Sequence, residues 1–442
     1  KSQLNNDEHQ ITKSHQLTDE DSLFFKFQVP PITTLTWFKG DFQAARPILE
    51  KRMKQIVAKN PWLQGRISCT SSLKGTYHLS YTYTQANEQH EYDNINVNEN
   101  LNVIDPTNSP LSREMPIVTQ NNTLLRSDMY MSDIFLRTGP KEPLFKASLV
   151  PCATNPYDTF ALVLQLSHAV GDGATYYKVM QMLCSEDADG ESSTIVKLIP
   201  ERIRNSKDLQ IEAMGKAEHG YLTSTGFMCQ TILGMILNQT RGPLPYEYNI
   251  FNPHSDGLQM EEVKKSHAKD AGLPFVSTND VLTSWLMKHC TGDHGLMAIN
   301  WRNRLEGHTD LHVGNYENMI FFNEEDYASP GLIRESLKSY KRSVSKDKKF
   351  PSSWEMAKSK VFIVTNWITF AKENVIKGCV EDLHFPLLLS EAVPTHKIRM
   401  LILFRAGANK IGLSYPPDAM SPGVDASDPL RGLADFLMTS KG

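Results

Sequence analysis

The sequence has few cysteines and no pattern that would link them. Its 442 residues contain six cysteines, which are scattered and include no C-x-x-C pair. We therefore expect no disulfide framework. We expect reduced thiols, in the cytoplasm or another reducing compartment. The chain begins at Lys1 rather than Met, so we expect that a preceding segment has been removed, which could include an N-terminal targeting peptide.

Long apolar runs and long basic runs are also lacking. The longest apolar stretch, residues 227–237, is interrupted by Gln230 and Gly234 and is too short to span a bilayer. The basic run at residues 346–349 is short, and the formal net charge of the chain is -4. We therefore expect neither a transmembrane segment nor a nucleic-acid partner. No metal-ligand spacing is present, so a bound metal is not expected either.

What the sequence does contain is typical of a large globular protein. Apolar residues make up 40% of the chain and charged residues 22%. A chain of this length exceeds one ordinary core, which predicts two domains of roughly 200 residues each. We expect an N-terminal domain over residues 1–195, a crossover segment with one helix over residues 196–250, and a C-terminal domain over residues 251–442.

Hydrophobic periodicity predicts a mixed α/β fold in both halves. The strand expected at residues 158–167 is apolar on both faces, which is typical of a central, buried strand. Other predicted strands cover residues 143–150, 296–300, 319–322 and 361–364, with a hairpin at 400–404 and 411–415. Helices are predicted over residues 41–60, 174–183, 259–271 and 279–290, the last capped by Ser277 or Asn279.

The residue that carries the most chemical information is His168, which follows the apolar strand. A turn containing Gly171, Asp172 and Gly173 comes next. An imidazole has a pKa near neutrality, so it can act as a general base toward a hydroxyl group. Asp172 is better suited to fixing the loop through a buried ion pair than to carrying a proton. A single histidine near a single aspartate is more often a hydrogen-bonded core pair, so these residues alone leave both interpretations open.

Several segments together resemble a known family. Residues 168–173, at the end of an apolar strand near the middle of the chain, resemble the H-x-x-x-D-G motif of the chloramphenicol acetyltransferase-like superfamily. Within it the chain most resembles the BAHD acyltransferases, and more distantly the condensation domains of peptide synthetases. Further matches, in the family's order, are residues 60–66 (P-x-L-x-G-R), 143–145 (the strand before the histidine strand), 277–283 (a helix start), 300–304 with 314–315 (N-x-R-x-R and G-N), and 364–367 (V-T-S-W).

The resemblance implies a catalytic pair. His168 would be the general base, and Asp172 would form an ion pair with Arg302, the first arginine of the N-x-R-x-R segment. Breaking such a buried pair costs about 3–5 kcal/mol, which suits a structural support for the loop.

Other matching residues would complete the site. Thr365 and Trp367 resemble the hydroxyl and indole donors that face the oxyanion of a tetrahedral intermediate. Gly173 would support the turn, and Asn315 would be a polar residue near the arginine.

The resemblance also implies the architecture and the partners. We expect two chloramphenicol acetyltransferase-like domains with a channel between them and His168 at mid-channel. Acyl-CoA would be a co-substrate rather than a permanently bound cofactor. The acceptor would be a small-molecule alcohol or amine, attacked in a ternary complex without an acyl-enzyme. A monomeric enzyme of secondary metabolism is expected.

One family motif is lacking, and two alternatives stay open. The Asp-Phe-Gly-Trp-Gly motif of BAHD enzymes is absent from the sequence, and residues 377–383, where it is expected, read differently. A condensation-type enzyme would instead take its acyl group from a carrier protein, although Ser167 before His168 departs from the His-His pair of that class. A catalytically silent relative that serves as a binding or assembly subunit is the other alternative.

Overall fold

The computed structural model describes residues 10–26, 29–69, 76–84, 95–125, 143–185, 195–253, 260–390 and 393–420. Its strands are β1 (Gln10–Gln16), β2 (Ile32–Lys39), β3 (Arg66–Cys69), β4 (Tyr77–Thr84), β5 (Leu101–Val103), β6 (Phe145–Pro151), β7 (Thr159–Leu166), β8 (Glu247–Phe251), β9 (His294–Asn300), β10 (Glu317–Phe322), β11 (Val361–Asn366), β12 (Val380–Pro386), β13 (Ile398–Gly407) and β14 (Lys410–Tyr415). Its helices are α1 (Asp19–Lys26), α2 (Phe42–Lys59), α3 (Ile117–Leu125), α4 (Gly173–Leu183), α5 (Ser206–Met214), α6 (Lys216–His219), α7 (Thr225–Arg241), α8 (Met260–Asp270), α9 (Thr278–His289), α10 (Pro330–Ser339) and α11 (Ser353–Lys358).

The chain divides into two compact units that are not continuous in sequence. Unit 1 comprises Lys1–Ile203, Thr309–Asn315 and Lys372–Leu387, and unit 2 comprises Arg204–His308, Tyr316–Ala371 and Leu388–Gly442. Two short segments from the second half of the sequence thus belong to unit 1, which no sequence pattern indicated. The domain boundaries expected from the sequence stay a prediction.

Unit 1 is built on a five-stranded sheet in the order β12-β2-β7-β6-β5. β7 pairs antiparallel with both β2 and β6, so the predicted central position of this apolar strand is confirmed. Helix α2 begins after Asp41, whose side chain accepts from the Gln43 amide, and it ends at Lys59 with Asn60 as its C-cap, close to the predicted bounds. Helix α2 packs against α4, the helix that follows β7. A smaller sheet joins β1, β4 and β3.

The edge strand β12 is attached to unit 1 by a buried histidine as well as by backbone hydrogen bonds. β12 pairs antiparallel with β2, and His384 in its middle is fully buried. The Nδ1 atom of His384 lies 2.8 Å from the Thr36 hydroxyl, and Nε2 lies 2.9 Å from the Tyr177 hydroxyl. Both partners are distant in the chain, so no local sequence pattern indicates them.

Unit 2 is built on a six-stranded sheet in the order β10-β9-β11-β13-β14-β8. The three strands β9, β11 and β13 are parallel, and the outer pairs are antiparallel. Helix α9 begins with a reciprocal capping box in which Ser277 accepts from the Asp280 amide and Asp280 accepts from the Ser277 amide. Ser277, one of the two predicted caps, is therefore the one that the structure uses.

The prediction of a single helix in the crossover segment was wrong, because α5, α6 and α7 all lie between residues 204 and 241. Gly215 and Gly220 break the first two helices into short pieces that hide their period. Helix α7 lacks a buried apolar stripe. It buries Gly226, Gln230, Gly234 and Asn238. Among the described residues, no helix is both long enough and apolar enough to cross a membrane.

We predict that His384→Leu destabilises the protein. The substitution removes the hydrogen-bond partner of the buried Thr36 hydroxyl and one partner of Tyr177, and each polar group left unsatisfied costs about 1–3 kcal/mol. Urea unfolding measures the change in the free energy of unfolding. Val380→Thr, on the same strand but 67% exposed, is the control and should change stability by no more than about 0.5 kcal/mol. Equal stability of the two variants would contradict the prediction.

Candidate functional site

The site begins at the end of the central strand of unit 1. His168 lies two residues after β7, and its side chain is partly exposed. The chain then turns through Gly171, where a Cβ atom would lie 2.7 Å from the Thr175 side chain. Asp172 is the N-cap of α4, and its buried carboxylate accepts from the Thr175 amide at 3.0 Å. A buried strand, a tight turn and a capped helix together fix the position of His168.

Asn315 contacts His168 directly. Its Oδ1 atom lies 3.0 Å from the His168 Nδ1 atom, and its Nδ2 atom donates to the His168 carbonyl at 2.7 Å. Gly314, just before it, has a φ of 143°, a left-handed conformation that favours glycine. The Gly314 carbonyl accepts from the Asp172 amide at 3.4 Å, so the G-N segment meets the histidine turn at two points.

Two buried residues behind Asn315 were not identified from the sequence. Asp21, in the first turn of α1, accepts from the Asn315 backbone amide at 3.1 Å and from its Nδ2 atom at 2.8 Å. The other oxygen of Asp21 accepts from the Arg202 Nε atom at 2.6 Å. Thr18 and Asp21 form a capping box, a pattern that the sequence displays but that marks only a helix start.

Burial sets the electrostatics of His168. It lowers the pKa of the imidazole below its ordinary value of 6.5, because the charged form loses solvation. Hydrogen bonding to the histidine's own carbonyl and to Asn315, and the negative charges of Asp172 and Asp21, oppose this shift without cancelling it. The imidazole is therefore neutral at neutral pH and able to accept a proton.

The residues of the V-T-S-W-like segment lie in unit 2. Thr365 is near the end of β11 and is half-buried. Among the described residues its hydroxyl has no hydrogen-bond partner, which leaves it able to donate to a ligand. Trp367 is half-buried against an apolar cluster that includes Tyr246 and Ile402, and its backbone amide donates to the Leu403 carbonyl at 2.8 Å.

Arg302 is a buried residue of unit 2. It donates to the Asn300 side chain at 3.1 Å, and its guanidinium lies 5.2 Å from the centre of the Tyr316 ring. The structure therefore brings His168, Asp172, Gly173 and Asn315 together in unit 1 and holds Arg302, Thr365 and Trp367 in unit 2. The Asp172–Arg302 ion pair stays a prediction.

Comparison with known sequences and structures gives two different results. Neither a protein-family model nor a curated protein sequence matches the chain. Solved structures do match over nearly the full length. The first condensation domain of the CDA synthetase has a TM-score of 0.58 at 14% identity, covering 96% of each chain.

Two other solved structures match as well. TRI3 trichothecene 15-O-acetyltransferase from Fusarium sporotrichioides has a TM-score of 0.55 at 11% identity, covering 98% of this chain and 96% of its own. TRI101 of F. graminearum, in complex with ethyl coenzyme A, has a TM-score of 0.54 at 11% identity, covering 95% and 97%. The chain therefore has the two-domain mixed α/β fold of condensation domains, of the TRI3 acetyltransferase and of TRI101, as its sequence motifs predicted.

Proposed function

We propose that the protein is an acyltransferase that moves an acyl group from a thioester to an alcohol or amine. The observation that carries the proposal is His168, a neutral and partly exposed imidazole held at the end of a buried strand. The fold supports it, because the chain shares its architecture with condensation domains and with acetyltransferases. A histidine with such a pKa is sufficient for the proton transfer in this reaction.

The proposed reaction proceeds in one ternary complex. His168 takes the proton of the acceptor hydroxyl or amine as the acceptor's lone pair attacks the thioester carbonyl, and a C–O or C–N bond forms. The carbonyl oxygen becomes an oxyanion, to which Thr365 and Trp367 donate hydrogen bonds. The intermediate then expels the thiolate, which takes the proton from His168, so that the imidazole is neutral again.

The donor that we propose is acyl-CoA, in line with the coenzyme A complex of TRI101. Purified protein is incubated with acyl-CoAs of different chain lengths, and release of free thiol is followed. The same acyl groups on a carrier protein form the second arm. Thiol release from acyl-CoA that depends on His168 supports the proposal. Release only from the carrier protein would make the chain a condensation-type enzyme, and no release from either would contradict thioester chemistry.

We predict that His168→Ala lowers kcat about 10²–10⁴-fold, because a general base contributes that much to a proton-transfer step. Initial rates of thiol release measure the loss. His78→Ala removes a partly exposed histidine from β4 of the same unit and is the matched control. If the two variants turn over equally, the assignment of the base is wrong.

The pH dependence of kcat/KM is expected to follow the lowered pKa of His168. Only the neutral imidazole can accept a proton, and a lowered pKa keeps it neutral into the mildly acidic range. The acidic limb of the profile should therefore have its midpoint below pH 6.5. An acidic limb with its midpoint at or above 6.5 would contradict this assignment.

Thr365→Val tests the proposed oxyanion donor. Valine keeps the shape of threonine but removes the hydroxyl, and loss of one such donor lowers kcat about 10²–10³-fold. The thermal midpoint should stay near that of the wild type, because the hydroxyl has no protein partner among the described residues. Thr240→Val, at an exposed position of helix α7, is the control and should keep full activity. Full activity of Thr365→Val would exclude this hydroxyl as a donor.

A further inference from the structure

A chain of buried hydrogen bonds leads from His168 to a salt bridge in the interior of unit 1. We infer that Asp21 and Arg202, acting through Asn315, hold His168 as the tautomer that carries its proton on Nδ1 and therefore has the proton-accepting lone pair on Nε2. The three residues are positioning residues, since none is required to touch the substrate. The inference rests on the proposed role of His168 as the base.

The orientation of the Asn315 amide follows from its partners. Its Nδ2 atom lies 2.8 Å from the Asp21 Oδ1 atom and 2.7 Å from the His168 carbonyl oxygen. A carboxylate and a carbonyl are both acceptors, so the atom facing them must be the amide nitrogen. The other end of the amide, which lies 3.0 Å from His168 Nδ1, is therefore the oxygen.

The amide oxygen in turn determines the tautomer of His168. An amide oxygen can only accept, so a hydrogen bond at this distance requires a proton on Nδ1. In a neutral imidazole the other nitrogen then carries a lone pair. The histidine's own carbonyl is a second acceptor for this proton, and Asn315 adds to its effect. As these acceptors are lost, a neutral histidine increasingly places its proton on Nε2, where it would prevent this nitrogen from acting as a base.

Asp21 is what prevents the amide from turning over. Its Oδ1 atom accepts from both the side chain and the backbone amide of Asn315. A flipped amide would place its oxygen against this carboxylate and against the His168 carbonyl, where like partial charges repel. The Asp21 side chain is completely buried, so no water can replace the missing donors.

Arg202 holds Asp21 and also ties together the two backbone segments that form the site. Its Nε atom donates to the second oxygen of Asp21 at 2.6 Å. Its NH1 group donates to the Val313 carbonyl at 2.6 Å, and its NH2 group to the Val170 carbonyl at 3.0 Å. Val170 lies two residues after His168, and Val313 lies two residues before Asn315. One guanidinium therefore fixes both sides of the His168–Asn315 contact.

The inference is tested on the full chain by nitrogen-15 NMR of labelled histidine at a pH where His168 is neutral. The His168 ring signals are assigned by their loss in His168→Ala. In the wild type we expect a protonated Nδ1 and an unprotonated Nε2. In Asn315→Leu and Asp21→Asn we expect the two ring shifts to move toward each other as the Nε2–H tautomer becomes populated. Asp21 and Asp172 are the carboxylates that face the ring electrostatically, and Asp172 is unchanged in both variants.

The kinetic counterpart is a loss of kcat without a loss of binding. Removing the hydrogen-bond partner that orients a metal-ligating histidine typically costs about 10- to 100-fold in activity, and we expect a decrease in kcat of that order for both variants, with KM near the wild-type value. Glu218→Gln is the matched control. It removes the carboxylate from another buried ion pair, in which Arg342 Nε lies 2.9 Å from Glu218 Oε1 in unit 2. Loss of a buried ion pair should lower the thermal midpoint of this control as it does in the Asp21 variant. The histidine spectrum and kcat of the control should stay unchanged.

If Asp21→Asn fails to fold, the double variant Asp21→Asn/Arg202→Gln is measured in its place. The double variant removes both charges, so no buried charge is left unpaired. The tautomer shift in either variant supports the inference. A wild-type His168 protonated on Nε2, or unchanged ring shifts in folded variants of Asn315 and Asp21, would overturn it. The spectra do not depend on any reaction. A protein that transfers no acyl group but shows the shift retains the inference about the tautomer and loses only the proposed function.

Discussion

The hydrogen bond between His168 and Asn315 is the contact on which the organisation of the site depends. It joins residues 147 positions apart, and each is delivered by a different structural device. The buried strand β7 and the capped helix α4 place the histidine. The left-handed turn at Gly314 and the hydrogen bonds to Asp21 place the asparagine. This one side-chain contact thus joins the histidine segment and the asparagine segment into a single site.

The ion pair behind this contact is better understood as a means of specifying geometry than as a source of stability. Desolvation of a buried carboxylate and guanidinium offsets much of their attraction, and an apolar pair of similar size would stabilise a protein as well or better. An apolar pair could not distinguish the two ends of an amide. Asp21 does so because a carboxylate can only accept, and Arg202 holds that carboxylate in place.

Much of the fold and part of the site could be predicted from the sequence, because those features are encoded locally. The apolar run of β7, the turn after His168 and the Ser277 cap are each contained in about ten neighbouring residues. Asp21 and Arg202 could not be predicted, because their role depends on contacts that cross 294 and 181 positions. The buried face of helix α7 could not be predicted either, since its polar Gln230 and Asn238 face inward and donate to backbone carbonyls.

The strand β12 has a consequence for how the protein is made. It comes from residues 380–386 but forms the edge of the unit 1 sheet, beside β2 near the start of the chain. During synthesis, one edge of β2 therefore stays unpaired until the segments 204–308 and 316–371 of unit 2 have been translated, and an unpaired strand edge is a template for aggregation. Most of unit 1 is synthesised first, but its sheet gains β12 only late in translation. A fragment ending near residue 203 would therefore lack this edge strand.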